Sequence, residues 1–405
     1  MLRFISQRLR KGQKASFSSI VSTITVVSIT LGTMILILSV TILEGFKATI
    51  LEKLFSVEGH IKVSAYDANQ YTEHKPIRLH SALYDNATTL EGIEHIQTFA
   101  NKSALIKTDN AVEGVVVKGV SSDFYLDKFK SNIVGDGRFL AFPESGKYSN
   151  EVMISRVIAD KLSLHVGDDL YLFFIQDKPK ERKLKVCGIY STFIEEFDAK
   201  VVLCDLALLQ KLNKWGDTLV GGYDVFLSDF SSLETSGDRV YDLMDYDLQM
   251  DKVTNLFPHI FDWLALLNKN VTVFIMIIFV IASFNMLSTM YILMMERASM
   301  IGLFQAMGAK NTLIQKIFWF HGLSLAVKGI VLGNIIGLGL CALQYYLRII
   351  SLDPVNYYMD FVPIKWDWMM IFLINIVVLL LINGIILIPS YLITKMNPIK
   401  VIKFN

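Results

Sequence analysis

Val271–Ala309 reads VTVFIMIIFVIASFNMLSTMYILMMERASMIGLFQAMGA. Its first part, up to Met295, is apolar and uncharged, and is long enough as a helix to cross a hydrocarbon core of roughly 30 Å. At Glu296–Arg297 the pattern changes. Met300, Leu303, Phe304 and Met307 recur at i, i+3, i+4 and i+7, the stripe of a short amphipathic helix, and Gly308 is placed to end it. A span that runs straight into such a helix suits the passing of force to a soluble partner. A helix lying flat among the headgroups has the same spacing.

Working outward, the 405 residues are 53% hydrophobic and 19% charged, with mean hydropathy +0.44. This is too apolar for a uniformly soluble chain and too charged for one lying wholly in a membrane. The net charge of +1 carries no nucleic-acid signal. Cys187, Cys204 and Cys341 form no CxxC pair, and Cys187 could bridge Cys204 only if folding brought them together.

Upstream, residues 1–19 hold Arg3, Arg8, Arg10, Lys11 and Lys14 and no acid, with Leu2, Ile5 and Leu9 on one helical face. That pattern fits a short helix on the membrane surface. Residues 20–43 are uncharged, too long for a signal-peptide core and closed by no small-residue cleavage site, so they read as a span. From 44 to 270 charges return. Short β-rich runs appear there (HIKVSA, ALIKT, GVVVKGV, LYLFFI, KLKVCGIY, KVVLC, YDVFLS), with SRVIADKLSL and LALLQKL helical between them. This predicts an α+β domain large enough for two sub-cores, with an internal boundary at the glycine-bearing segment Gly135–Asn150.

Downstream, residues 317–343 form a third span, on which Gly329, Gly333 and Gly337 make a ladder that lets another helix approach closely. Residues 368–389 form a fourth, ahead of a 390–405 tail. Lysine and arginine concentrate before the first span, in 296–316 and in the tail, while the 344–367 loop holds Asp353, Asp360 and Asp367 against Arg348 and Lys365. The expected fold is therefore four transmembrane helices with both termini and the 296–308 helix cytoplasmic, and a large domain outside between the first and second. Tyr345, Tyr346, Tyr357, Tyr358, Trp366 and Trp368 suit an outer aromatic belt.

Neither GxxxxGK[ST] nor HExxH occurs, and the seven histidines lack metal-ligand spacing. The chain reads as non-catalytic, with no metal site and with its energy drawn from another chain.

The order of these pieces resembles the FtsX-like permeases of the MacB-type ABC transporters, and within them the lipoprotein-releasing permeases. The resemblance rests on ERASMIGLFQAMGA (296–309), SVTILEGF (39–46), ADKLSLHVGDDLYL (159–172), KVCGIYSTFIEEFDAKVVL (185–203), LALLQKL (206–212) and the closing NPIKVIK (397–403). SVTILEGF departs from the family signature at Ile42, Leu43 and Glu44. The likeness implies a MacB-like periplasmic domain of two subdomains and an FtsX-like permease domain over about 271–400, in the bacterial inner membrane. It implies a second permease, same or homologous, and a separate ABC ATPase of the LolD type that binds the ATP and magnesium. Glu296, Arg297, Met300, Leu303, Phe304, Met307 and Gly308 would form the coupling helix seated in that ATPase.

A lipoprotein substrate would enter beside the first span, past Met34, Leu38 and Ile42, and leave to a LolA-like carrier. The family's carrier-recruiting hairpin would correspond here to the short turn Gln176–Arg182. MacB-like efflux, or mechanotransmission to a periplasmic partner, is the alternative. Lys328 is a charge well inside the third span, where it costs ~2.5–3.5 kcal/mol on insertion scales. Snorkelling, a watery cavity between permeases and pairing with a partner or substrate group compete. The close helix contact expected at Gly329 favours the cavity.

Overall fold

The computed structural model describes residues 17–66, 75–86, 90–108, 111–143, 147–175, 179–353 and 357–392. The basic N-terminal segment, the tail motif NPIKVIK and positions 176–178 of the short turn lie outside the described residues. Two compact units emerge: one comprises residues 1–48, 263–351 and 361–405, the other 49–262 with 352–360.

The first unit is built on four long apolar helices: α1 (Phe17–Phe55), α5 (Pro258–Glu296), α7 (Asn311–Leu347) and α8 (Trp368–Leu392). Although α1 is rich in β-branched residues, a helix satisfies its backbone internally where no water can. Two of its hydroxyls are satisfied the same way, Thr25 donating to Val21 O and Thr41 to Ile37 O. All four helices enter one core, through Ile29 and Leu36, Met286 and Met290, Leu325 and Ile330, and Val378 and Ile382.

At 39 residues, α1 and α5 are each about 58 Å long, nearly twice what a span needs. The uncharged runs mark only part of each helix. Beyond Leu43, α1 continues amphipathically, with Ile50 and Leu54 buried and Lys47 paired to Glu44 at 2.8 Å. Helix α5 starts at Pro258, where a missing N–H costs nothing.

The second unit carries strands β1 (Ile61–Ala65), β2 (Ile77–Arg78), β3 (Ile93–Lys107), β4 (Val112–Val120), β5 (Ile133–Val134), β6 (Glu151–Ser155), β7 (Asp169–Phe174), β8 (Lys180–Tyr190), β9 (Val201–Asp205), β10 (Leu219–Val220), β11 (Gly222–Leu227) and β12 (Leu248–Lys252). Helices α2 (Arg156–Leu162), α3 (Leu206–Asn213) and α4 (Leu233–Leu243) lie between them. All seven β-rich runs read from the sequence fall on strands.

The main sheet closes on itself. β3 pairs with β4, β4 with β9, β9 with β6, β6 with β8, β8 with β7, and β7 returns to β3. Alternate residues fill this six-stranded ring, among them Ile106, Val117, Val202, Ile154, Val186 and Leu172. The first half of β3 leaves the ring and pairs with β11, which continues through β1 to β12 as an open antiparallel sheet. At fifteen residues, β3 is long enough to serve both.

This corrects the expected boundary at Gly135–Asn150. The strands on either side of that segment, β5 and β6, both pair with β8, so it is a connection within one sheet. Ring and open sheet share β3, and a single buried cluster runs from Ile61 and Val225 to Leu172 and Val186. Cys187 and Cys204 are free and buried, Cys187 as the extra residue of a bulge in β8.

Candidate functional site

The helix after the second span is α6 (Ala298–Ala306). Arg297, at φ −103°, interrupts the helical path only briefly: its N–H donates to Leu293 O, and its carbonyl accepts from Ile301 N–H at 2.9 Å. The other end is a Schellman turn. Gly308 takes φ +83°, its N–H donates to Gln305 O, and the Ala309 N–H donates to Phe304 O. A side chain would strain that left-handed backbone, which is the physical basis for the stop read at Gly308.

The structure divides the stripe between two faces. Ile301 is buried, and Phe304 packs with it against Leu293, Met294, Ile314 and Phe318. Leu303 and Met307 stand out, 59% and 65% exposed, with Met300 half-buried between the faces. Phe304 therefore fastens α6 to its own chain. The face open to a partner is Leu303 with Met307, flanked by exposed Glu296.

The glycine ladder of α7 lies against α1. A Cβ on Gly329 would come within 2.6 Å of the Ile29 side chain, and one on Gly333 within 2.7 Å of Thr33 Cβ. At Gly337 the nearest atom, Met34 Cα, stands 3.3 Å away. The close approach lets Thr30 donate to Gly329 O across the helices at 3.2 Å. Lys328, beside this contact, is half-buried and not without a partner.

The expected path residues of α1, Met34, Leu38 and Ile42, are each half-buried within the chain. Leu38 and Ile42 pack against Ile37, Cys341 and Ile364, and Met34 backs onto Gly337, because the ladder draws α7 onto that side. The side of α1 left open is Ile20, Ile24, Val27, Leu31 and Ile35, a stripe at helical spacing. In a uniformly apolar run, periodicity gives no sign of which side faces out. On α5, Val273, Ile277, Ile281 and Phe284 are also exposed.

Residues 22–238 match the MacB-like periplasmic core domain, and residues 272–398 match the FtsX-like permease C-terminal domain. The chain belongs to the FtsX-like permeases with a MacB-like periplasmic core. This permease is similar to the lipoprotein-releasing system transmembrane protein LolE of Haemophilus influenzae, 24% identical over 421 residues and 98% of each chain. It is also similar to the protein of that system named LolC in Buchnera aphidicola subsp. Acyrthosiphon pisum, 22% identical over 409 residues, 96% of this chain and 94% of the relative. Among solved structures, the periplasmic region of MacB from Actinobacillus actinomycetemcomitans aligns with 52% of this chain and 97% of its own, at 15% identity and TM-score 0.34. As a member of its family, the permease is a multi-pass protein of the bacterial inner membrane, with its large domain in the periplasm and its role that of an ABC transporter permease subunit.

Proposed function

We propose that this permease extracts lipoproteins from the inner membrane for delivery to the outer membrane, driven by ATP hydrolysis on a separate ABC ATPase. The observation that carries this reading is the likeness, over 98% of both chains, to a protein named for lipoprotein release. Both termini and α6 are then cytoplasmic. Leu303 and Met307 enter a groove of a LolD-like ATPase, which binds the ATP and magnesium, while Glu296 and Arg297 flank the contact. A second permease covers part of the apolar faces that α1 and α5 leave open, and a LolA-like carrier receives the product. Lys328 borders the water-filled side of the pair.

The substrate path follows the open side of α1, which moves it from Met34, Leu38 and Ile42 to Leu31 and Ile35. Photocrosslinkers at Leu31 and Ile35 are expected to trap lipoprotein, and those at Leu38 and Ile42 are not. Adducts at the second pair alone would reverse that assignment, and adducts at neither would remove lateral entry beside α1. Mechanotransmission to a periplasmic partner is the second reading, favoured by the tight β7–β8 connection, in which Phe174 already pairs with Lys180.

A further inference from the structure

Helix α1 ends at Phe55, and five residues, Ser56–His60, lead from it into β1. Such a junction between helix and strand is an ordinary place for a hinge, yet here each residue is held separately. Ser56 Oγ accepts from the buried Asn132 side chain at 2.6 Å. The Val57 carbonyl accepts from Lys118 Nζ at 2.9 Å. Glu58 meets Lys118 at 3.1 Å through Oε1 and Lys62 at 2.6 Å through Oε2. Gly59 lies so close to β11 that a Cβ would stand 2.7 Å from Val225 N. His60 Nδ1 accepts from Leu227 N–H, and the His60 carbonyl accepts from Val253 N–H.

Lys118 is the common partner. It sits on β4 of the ring, 2% exposed, and its three donors reach Val57 O, Glu58 Oε1 and, at 2.8 Å, Asp224 Oδ2 on β11 of the open sheet. Lys62 completes the group, aligned across the strands with both Asp224 and Asp251. Burial pushes the Glu58 carboxyl up, but Lys118 and Lys62 together outweigh it and hold the group at about 2. Asp224 is raised by burial, with Lys118 opposing. One cation thus binds three chain segments at once: the exit of α1, the ring and the open sheet.

We propose that Lys118 is a positioning residue that welds the exit of α1 to the periplasmic domain, so that the last turns of α1 and the sheet move as one body. The weld is a property of this chain; its use in carrying force rests on the function proposed above. Two measurements keep these apart. The Val57 and Glu58 amides both donate to Leu54 O, so their hydrogen exchange reports opening of the junction. In the full-length chain in nanodiscs they are expected to exchange as slowly as the amides of β1 and β11. Lys118→Met is expected to speed them about tenfold or more, with the strands unchanged. A wild-type junction that exchanges well ahead of the strands overturns the weld, and this arm needs no variant to fold; unchanged junction exchange in a folded Lys118→Met protein overturns the role of Lys118.

In vesicles with the ATPase, Lys118→Met is expected to retain ATP hydrolysis while losing about tenfold in release. Equal losses in both would mark Lys118 as merely structural. Wild-type protein that releases nothing would overturn the functional reading, and the exchange arm would still decide the weld.

Discussion

Asn334 on α7 and Asn375 on α8 exchange two hydrogen bonds, each Nδ2 donating to the other's Oδ1, at 2.6 and 2.9 Å. A reciprocal amide pair inside an apolar bundle fixes two helices in both rotation and height. Buried polar contacts between membrane helices contribute about 0.6 kcal/mol on average and up to about 1.7. Asn375→Leu is expected to destabilise by an amount in that range. A double-mutant cycle with Asn334→Leu in detergent unfolding should show the pair to be coupled, and strict additivity would refute the pairing.

The ladder supports a graded expectation. Gly329→Ala and Gly333→Ala place a methyl 2.6 and 2.7 Å from α1 atoms and must push the helices apart, while Gly337→Ala meets its nearest atom at 3.3 Å. Gly339 and Gly384 have nothing within 4 Å, so alanine there is expected to be neutral or stabilising by about 0.5–1 kcal/mol. Thermal unfolding of the five variants tests the ranking.

On α6 the two faces separate assembly from folding. Leu303→Asp with Met307→Asp should abolish ATPase binding and leave the permease as stable as wild type, since burying each side chain is worth ~1.5–3 kcal/mol to the complex alone. Phe304→Ala should instead cost the permease on the order of 2 kcal/mol. Co-purification and melting, measured together on each variant, distinguish the two.

His60 is 3% exposed, stacked on Phe55 at 3.8 Å between ring centroids, and accepts the Leu227 N–H. Burial, with Lys128 adding to it, lowers its pKa from the ordinary 6.5 to about 4. With the folded value below the unfolded one, the unfolded chain takes up more protons. The contribution is therefore complete above about 6.5 and lost as pH falls toward 4, about 3 kcal/mol in all. His60→Gln, which keeps an acceptor, should flatten that part of the stability profile between pH 7 and 4.

Much of this architecture is legible in the sequence because it is local. Uncharged runs mark spans, alternation marks strands, and Gly308 marks a helix end. The closure of the ring is not local: β7 sits between β3 and β8, and neither pairing leaves a trace in the pattern of the other. Strand β3 carries Gln97, Asn101 and Lys102, which break the apolar pattern of a buried strand, yet Gln97 and Lys102 are buried. Lys118 in GVVVKGV looks like the solvent-facing member of an alternating strand, yet its carboxylate partners lie 60 and 106 residues away. The inward turn of Phe304 is invisible for a related reason, since α6 is apolar on both faces.

The most direct test of the account is ATP-driven release from proteoliposomes holding the permease, its partner permease and the ATPase. The expected result is that ATP moves an acylated lipoprotein into the soluble fraction with the periplasmic carrier, and that Leu303→Asp with Met307→Asp abolishes this movement. Sustained ATP hydrolysis by the assembled complex with the lipoprotein still in the membrane would contradict it.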